Sequence, residues 1–372
     1  MKIDIATRVV SEDEDIYMIR PGEGYWLYDD FKRSSSIFLD FPQLEIVNDQ
    51  GKNLSDRQLR QAVVRSMDLA QWYDNEKQGP RPDGSLSAYT GKDHRRRIGH
   101  YVGAIKTLYR DLRPGTIVVV PGEDYFGEVL IGEIVGNLRT YSHRNLYDGE
   151  QFLSRKVKWL RSKQRGTFSD ELRALMGVPT PLIRIKRSLR EEVIRAGYDQ
   201  YVFGRGVSAR LNTEEENFST LDDYNIQSFV NYVTGVLIAV DLGRTEKISF
   251  EEAIELLNEH PDLAMDLKLN INSKGFQRLL AENWKPLVAG TLLTGAVAMG
   301  ASFALNQPDS VEIVNTRSPD NENCRIEVQN AVSSSLALMY EKDFERVCKQ
   351  ARSVNQATGL STIMSVSDDD NE

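Results

Sequence analysis

The residues that could bind a ligand most directly are aromatic side chains lying close to carboxylates in the sequence. Aromatic faces stack on a planar group such as a nucleobase, and carboxylates accept hydrogen bonds from its edge. Most of these aromatics are explained equally well as core residues, but Tyr125 lies in a polar loop with proline and glycine, where burial explains it less easily. The candidate ligand-binding residues are Trp26, Phe38, Asp40, Phe41, Tyr125 and Phe126.

A second set of candidates is basic. Arg95, Arg96 and Arg97 form a run at the start of a predicted helix, and Arg155 and Lys158 lie on a predicted strand. Such side chains contact phosphate in nucleic-acid complexes, although a solvated charged face is an equal alternative. The net charge of −9 argues against a generally basic nucleic-acid coat, so phosphate contact is expected only at local patches.

Catalysis has little support in the sequence. The four histidines lack the spacing of metal ligands, and there is no paired-cysteine zinc motif. The glycines of residues 122–127 and 204–206 do not match a phosphate-binding or dinucleotide-binding loop. The sequence therefore predicts a binding protein that is not an enzyme and uses neither a metal ion nor a cofactor.

Short strands with inserted helices are predicted over the first half of the chain. Helices are predicted over residues 55–73, where apolar residues recur every three or four positions, and over residues 93–112. Strands are predicted over residues 24–28, 36–41, 115–120, 128–135, 154–160 and 182–185. This mixture is typical of a small α+β barrel.

A resemblance to a known family covers about residues 15–187. The motifs that carry it are Tyr25-Trp26, Ile37 to Phe41, Gly115 to Pro121, Ile131 to Ile134, Arg155 to Leu160, Phe168 and Leu172. Their order resembles the PUA-like (EVE-type) domains at the front of Mrr-type restriction proteins. The resemblance implies a β-pseudobarrel that reads a nucleobase, often a modified one, or another nucleotide-like ligand in bacterial defence. The chain departs from those proteins after residue 190, where no Asp…Glu-x-Lys nuclease core follows.

The second half of the chain is predicted as three parts. Residues 188–283 are interpreted as a helical connecting domain. Residues 287–305 contain no charged side chain, and a helix of that length reaches about 28 Å. This is close to the ~30 Å core of a bilayer, so residues 286–305 are predicted as a transmembrane helix. The alternative is a Gly/Ala-rich helix buried in a protein core.

Flanking charge predicts the orientation of this span. Positive residues concentrate upstream of it, which places the N-terminal domains in the cytoplasm and residues 306–372 outside as a short α/β domain. Cys324 and Cys348 both follow the span and could form a disulfide there. Ala296, Gly300 and Ala304 form a stripe of small residues of the kind that lets membrane helices associate.

These features together predict a single-pass inner-membrane protein of anti-phage defence. Its cytoplasmic domain is expected to sense nucleic acid or a nucleotide-like ligand and to signal through an oligomerising span, by membrane permeabilisation or by recruiting other defence subunits. Two alternatives remain open. One is a soluble DNA-binding accessory subunit of a restriction system, and the other is a non-catalytic membrane scaffold whose barrel binds protein.

Overall fold

The chain folds into two compact units, and the second of them is built from both ends of the chain. In the computed structural model, the inserted unit comprises Asp13–Gly197, and the discontinuous unit comprises Met1–Glu12 and Tyr198–Glu372. The structure describes residues 1–48, 50–91, 98–215, 218–270, 275–302 and 311–367.

The strands of the described residues are, in chain order, β1 Lys2–Asp4, β2 Arg8–Val10, β3 Tyr17–Ile19, β4 Ser36–Phe38, β5 Ile117–Val120, β6 Glu128–Tyr141, β7 Phe152–Gln164, β8 Leu182–Arg184, β9 Tyr201–Phe203, β10 Gly206–Asn212, β11 Asp266–Asn270, β12 Phe276–Ala281, β13 Glu312–Val314 and β14 Ser365–Ser367. The α-helices are α1 Tyr28–Ser34, α2 Asp56–Asp74, α3 Ile98–Lys106, α4 Asp170–Met176, α5 Arg187–Gly197, α6 Thr220–Asp241, α7 Phe250–Glu259, α8 Lys285–Met299, α9 Glu322–Leu338 and α10 Glu341–Thr358.

The inserted unit is organised around one six-stranded sheet with the strand order β4-β7-β6-β5-β3-β8. Its longest pair, β6 and β7, contains two register shifts, which bend the pair locally. Helix α2 begins where Ser55 and Gln58 form a capping box, and it buries Leu59, Val63 and Val64 in the core beside the sheet. The end of α2 and the connection between β6 and β7 both contribute to the cavity described below.

The discontinuous unit contains two further sheets, with strand orders β13-β1-β14 and β11-β12-β10-β9-β2. The protein is thus α+β, but the predicted organisation of its second half is wrong. Residues 188–283 contain the four strands β9 to β12 in addition to helices. The segment beyond the predicted span is not a separate domain, because β13 and β14 pair with β1 and the helices α9 and α10 pack against α6 and α8.

The predicted transmembrane helix is a core helix of this unit. Helix α8 has 15 residues, about 22 Å, and its backbone turns away at Gly300, whose φ is 73°. Leu287, Leu292 and Ala296 are fully buried against other elements of the same unit. Among the described residues, no helix combines the length and the apolar character needed to cross a bilayer. The predictions of a membrane span and of an inner-membrane location, with domains on either side, are therefore wrong.

Burial of Lys285 to Leu293 explains a composition that is also typical of a membrane helix. A helix surrounded by protein excludes charge for the same reason as a helix surrounded by lipid. Its small residues permit close packing, since a Cβ on Gly290 would lie 2.9 Å from Met364 Cε. Lys285 is also buried, and its ammonium binds Asp241 at 3.0 Å and the carbonyl of Leu263 at 3.0 Å.

The stripe of small residues and the candidate disulfide were both expected because of the predicted span. Ala296 is buried and Gly300 ends the helix, so the stripe of small residues is not an exposed face for association; Ala304 lies outside the described residues. Cys324 and Cys348 are both free and buried on α9 and α10, so the predicted disulfide is not formed. Burial raises the pKa of each thiol to about 12, which keeps both protonated and unreactive at neutral pH.

The crossing of α6 and α7 depends on a glycine. A Cβ on Gly235 would lie 2.1 Å from the carbonyl oxygen of Ala253, so Gly235→Ala is expected to destabilise the fold by about 1–3 kcal/mol in chemical denaturation. The matched control is Gly103→Ala on α3, where the added methyl meets no atom within 4 Å. That change is expected to stabilise by about 0.5–1 kcal/mol. Equal effects at the two positions would contradict the close approach of α6 and α7.

Candidate ligand-binding site

A cavity of about 630 Å³ lies in the inserted unit, where three segments distant in sequence meet. The first segment surrounds α1 and β4, the second is the end of α2, and the third is the turn between β6 and β7. This volume is within the range of pockets that bind small organic molecules. The lining residues are Glu23, Trp26, Asp40, Tyr73, Asp74, Glu76, Lys77, Asn145, Tyr147 and Asp148.

Asp40 is the best-defined polar group of the cavity. Trp26 Nε1 donates to its Oδ2 at 3.1 Å, and the hydroxyl of Tyr147 donates to its Oδ1 at 3.0 Å. Burial raises the pKa of Asp40 to about 6, and the two hydrogen bonds oppose this rise only in part. Each carboxylate oxygen can accept a further bond, so Asp40 offers fixed acceptor positions to a ligand.

Aromatic rings form the walls around this carboxyl. The rings of Trp26 and Tyr147 lie 5.6 Å apart and are perpendicular, and those of Tyr73 and Tyr147 lie 5.3 Å apart at 59°. Gly22 makes room for the indole: its φ is 75°, and a Cβ there would lie 2.6 Å from Trp26 Cδ1. Trp26 nevertheless remains 40% exposed, so a ligand can reach the ring.

Glu150 holds the tyrosine at the end of α2. Its Oε1 accepts from the hydroxyl of Tyr73 at 2.8 Å and from Arg81 Nη2 at 2.6 Å, and its Oε2 accepts from Gln43 Nε2 at 2.6 Å. Burial and the adjacent Glu150 raise the pKa of Tyr73 to about 12. The phenol therefore stays protonated, and its ring is fixed as a wall of the cavity.

Backbone strain is concentrated at the same place. Four of the eight non-glycine residues with positive φ among the described residues line the cavity: Glu76, Lys77, Tyr147 and Asp148. Such conformations cost free energy and are most often kept where a site requires them. Two of the three segments that form the cavity are therefore held in shapes that the local sequence does not favour.

The charge of the cavity restricts what it can hold. Five carboxylates line it, at Glu23, Asp40, Asp74, Glu76 and Asp148. The single lining cation, Lys77, forms an ion pair with Asp148. A free phosphate would be repelled here, whereas a neutral or cationic ligand with hydrogen-bond donors would be attracted.

The structure brings together only two of the predicted ligand-binding residues, Trp26 and Asp40. Phe38 and Phe41 are buried in the core, where Phe38 packs against Phe152, whose ring in turn contacts Tyr147. Tyr125 and Phe126 lie outside the cavity, on the exposed connection between β5 and β6. Phe126 is 74% exposed there, and Arg173 lies over the ring of Tyr125.

The predicted phosphate contacts differ in their availability. Arg155 is buried, and its guanidinium donates to the carbonyls of Leu108 at 3.2 Å and Gly136 at 3.3 Å, so it is a structural residue. Lys158 is exposed on β7 and stays a candidate for contact with phosphate. Arg95, Arg96 and Arg97 lie outside the described residues.

Sequence reasoning did not find Tyr73 and Tyr147, which complete the aromatic walls. The sequence places Tyr73 only at the end of a predicted helix. Tyr147 lies in the polar segment Asn145 to Gly149 between two predicted strands, which is the same signal that drew attention to Tyr125. An aromatic residue in a polar turn is therefore the sequence signal by which Tyr147 could be found.

Comparison with known proteins does not add to this geometry: no protein-family model, curated protein or solved structure matches the chain. Among the described residues, no group of three or more histidine, cysteine, aspartate or glutamate side chains could hold a metal ion.

Proposed function

We propose that the protein is a nucleic-acid-binding accessory protein of a bacterial restriction or defence system, and that its inserted unit binds a single nucleobase in the cavity around Asp40. The observation that carries this proposal is the carboxyl of Asp40, held by Trp26 and Tyr147 among aromatic rings. The resemblance to PUA-like domains supports the same ligand class and supplies the setting. The proposal assigns recognition and no chemical reaction to the site.

A nucleobase fits both the aromatic wall and the carboxyl group of the cavity. Its flat face can stack on the exposed ring of Trp26, and an amino group on its edge can donate to Asp40. Adenine, cytosine and guanine carry such an amino group, whereas thymine does not. The acidic lining excludes backbone phosphates from the cavity, so the base enters alone, turned out of its strand. Lys158 is then a candidate contact for the phosphates outside.

A binding experiment on the full chain tests the proposal. Fluorescein-labelled DNA duplexes with one mismatched base are titrated with protein, and the mismatched base is varied. We expect bases with an amino group to bind more tightly than thymine. Trp26→Ala is expected to weaken binding by roughly tenfold or more, because stacking of one base contributes about 1–3 kcal/mol. Asp40→Asn, which turns an acceptor into a donor, is expected to remove the preference among bases.

The control is Tyr224→Ala, which removes an exposed aromatic ring in the discontinuous unit and is expected to leave binding unchanged. DNA binding that is equally strong in the wild type, Trp26→Ala and Asp40→Asn would show that the cavity does not read a base.

The excess of carboxylates favours one other ligand class, a methylated ammonium ion. Perpendicular aromatic rings beside carboxylates attract such cations through the ring faces and through charge. Calorimetric titration with choline and with a trimethyllysine peptide separates the two functions. Binding of these cations that depends on Trp26, without binding of mismatched DNA, would favour the second function.

A further inference from the structure

A second cavity lies in the discontinuous unit, between the end of β13 and the start of α9. Its volume is about 250 Å³, below the ~300 Å³ at which pockets for drug-sized molecules begin, so it holds a small ligand or a single chemical group. The lining side chains that could bind such a group are Asn315, Ser318, Asn321 and Arg325.

Asn315 contributes a buried donor without a partner. The side chain is only 6% exposed, and its Oδ1 accepts from the backbone N–H of Thr7 at 3.0 Å. This bond fixes the orientation of the amide, because the backbone nitrogen must donate and the oxygen must face it. Nδ2 is therefore the opposite end of the amide, and it has no hydrogen-bond partner among the described residues. A buried donor in this state favours the binding of an acceptor.

Two further side chains of the cavity, those of Arg325 and Ser318, are also donors. Arg325 forms no hydrogen bond or ion pair with any residue that the structure describes. The hydroxyl oxygen of Ser318 accepts from the backbone N–H of Val9 at 3.0 Å, which leaves its own hydrogen to donate. The cavity is thus lined by an amide, a guanidinium and a hydroxyl that can each donate to an acceptor.

The start of helix α9 adds to this set. The side chain of Asn321 caps the helix by accepting from the backbone N–H of Cys324 at 3.1 Å. The N–H groups of Glu322 and Asn323 have no acceptor within the helix, as at the start of any α-helix. The 17 residues of α9 also direct the positive end of the helix dipole toward the cavity.

The neighbouring carboxylate of Asp4 does not occupy these donors. Its Oδ1 accepts from the backbone N–H groups of Ala6 at 2.9 Å and Thr316 at 3.0 Å, and its Oδ2 accepts from the hydroxyl of Thr316. Asp4 is therefore held by Ala6 of its own turn and by Thr316, and the donors of Asn315, Ser318 and Arg325 are not among its partners.

We propose that this cavity binds a phosphate group, as inorganic phosphate or as the phosphate of a sugar or nucleotide ester. The oxygens of a phosphate group are mainly acceptors, which matches the donors of Asn315, Ser318 and Arg325, and a guanidinium can bind two of these oxygens at once. The site lies in the discontinuous unit and does not depend on the function proposed for the inserted unit.

Isothermal titration calorimetry of the full chain with inorganic phosphate and with ribose 5-phosphate tests this site. Neither probe contains a base, so neither reports on the cavity at Asp40, and ribose is the control ligand. We expect both phosphates to bind and ribose not to bind. Tighter binding of ribose 5-phosphate would assign the site to phosphate esters, whereas equal binding would show that the phosphate group alone is recognised.

Two variants test whether phosphate binds in this cavity. Arg325→Gln is expected to lower the affinity for phosphate about tenfold or more. Asn315→Asp keeps the shape and the acceptor for Thr7 but replaces the free donor by a carboxylate oxygen, and a comparable loss is expected. The control is Lys247→Gln, which removes an exposed cation elsewhere in the same unit. Thermal melting checks that each variant is folded. Absence of phosphate binding to the wild type, or unchanged binding by both folded variants, would overturn the proposal.

Discussion

The stability of the inserted unit is expected to fall by about 3 kcal/mol as pH rises from 3 to 7 through the titration of Asp40 alone. Burial raises the pKa of this carboxyl from 3.8 to about 6 in the folded protein, so the folded state holds its proton after the unfolded chain has released it. The contribution of Asp40 to stability is therefore fully present below about pH 4, declines as pH rises through 6 and is nearly lost at pH 7. About two pKa units correspond to about 3 kcal/mol.

Asp40→Asn isolates this contribution, because the amide does not titrate. Unfolding in urea is followed at several pH values by tryptophan fluorescence, since three of the four tryptophans, Trp26, Trp72 and Trp159, lie in the inserted unit. Relative to the wild type, the variant should become more stable as pH rises from 4 to 7. A difference between the two proteins that does not change with pH would show that Asp40 is not buried as described. The matched control is the exposed Asp29→Asn.

Leu292→Ala is expected to destabilise the discontinuous unit by about 2–5 kcal/mol. Leu292 is fully buried on α8, and truncation of a buried leucine removes its apolar contacts and leaves a cavity in the core. The unfolding of this unit is followed in urea by the fluorescence of Trp284, which directly precedes α8.

Leu242→Ala is the matched control, because Leu242 is 47% exposed in the same unit. Surface substitutions of this kind usually change stability by less than about 0.5 kcal/mol. A loss of stability below about 1 kcal/mol for Leu292→Ala would mean that the protein does not enclose α8.

The composition of α8 does not reveal whether lipid or protein surrounds the helix. Residues 287–305 have no charge, but lipid and a protein core both exclude charge, so this signal cannot distinguish them. The distinguishing facts are tertiary: the helix ends at Gly300, and strands and helices of the same unit cover Leu287 and Leu292. The polar flanks of the segment do not determine what surrounds it.

The sequence predicts which residue types of the candidate site could bind a ligand, but it does not predict which of these residues meet in the structure. The sequence predicts Trp26 as a stacking face and Asp40 as an acceptor for the edge of a ligand. Their contact arises because the chain does not form the predicted strand at residues 24–28; a single 3-10 turn there, with Gly24 at a φ of 62°, redirects Trp26. The approach of Tyr147 depends on the long pair β6 and β7, which no local pattern specifies.

Strand β1 has a consequence for the order of folding during translation. It lies between β13 and β14, so during synthesis it must wait for more than three hundred later residues before it gains both neighbours. The inserted unit is complete at Gly197 and can fold in that interval. The discontinuous unit cannot complete its sheets until the later strands are made. Nascent chains that stall before residue 312 should therefore carry a folded inserted unit beside an incomplete, aggregation-prone discontinuous unit.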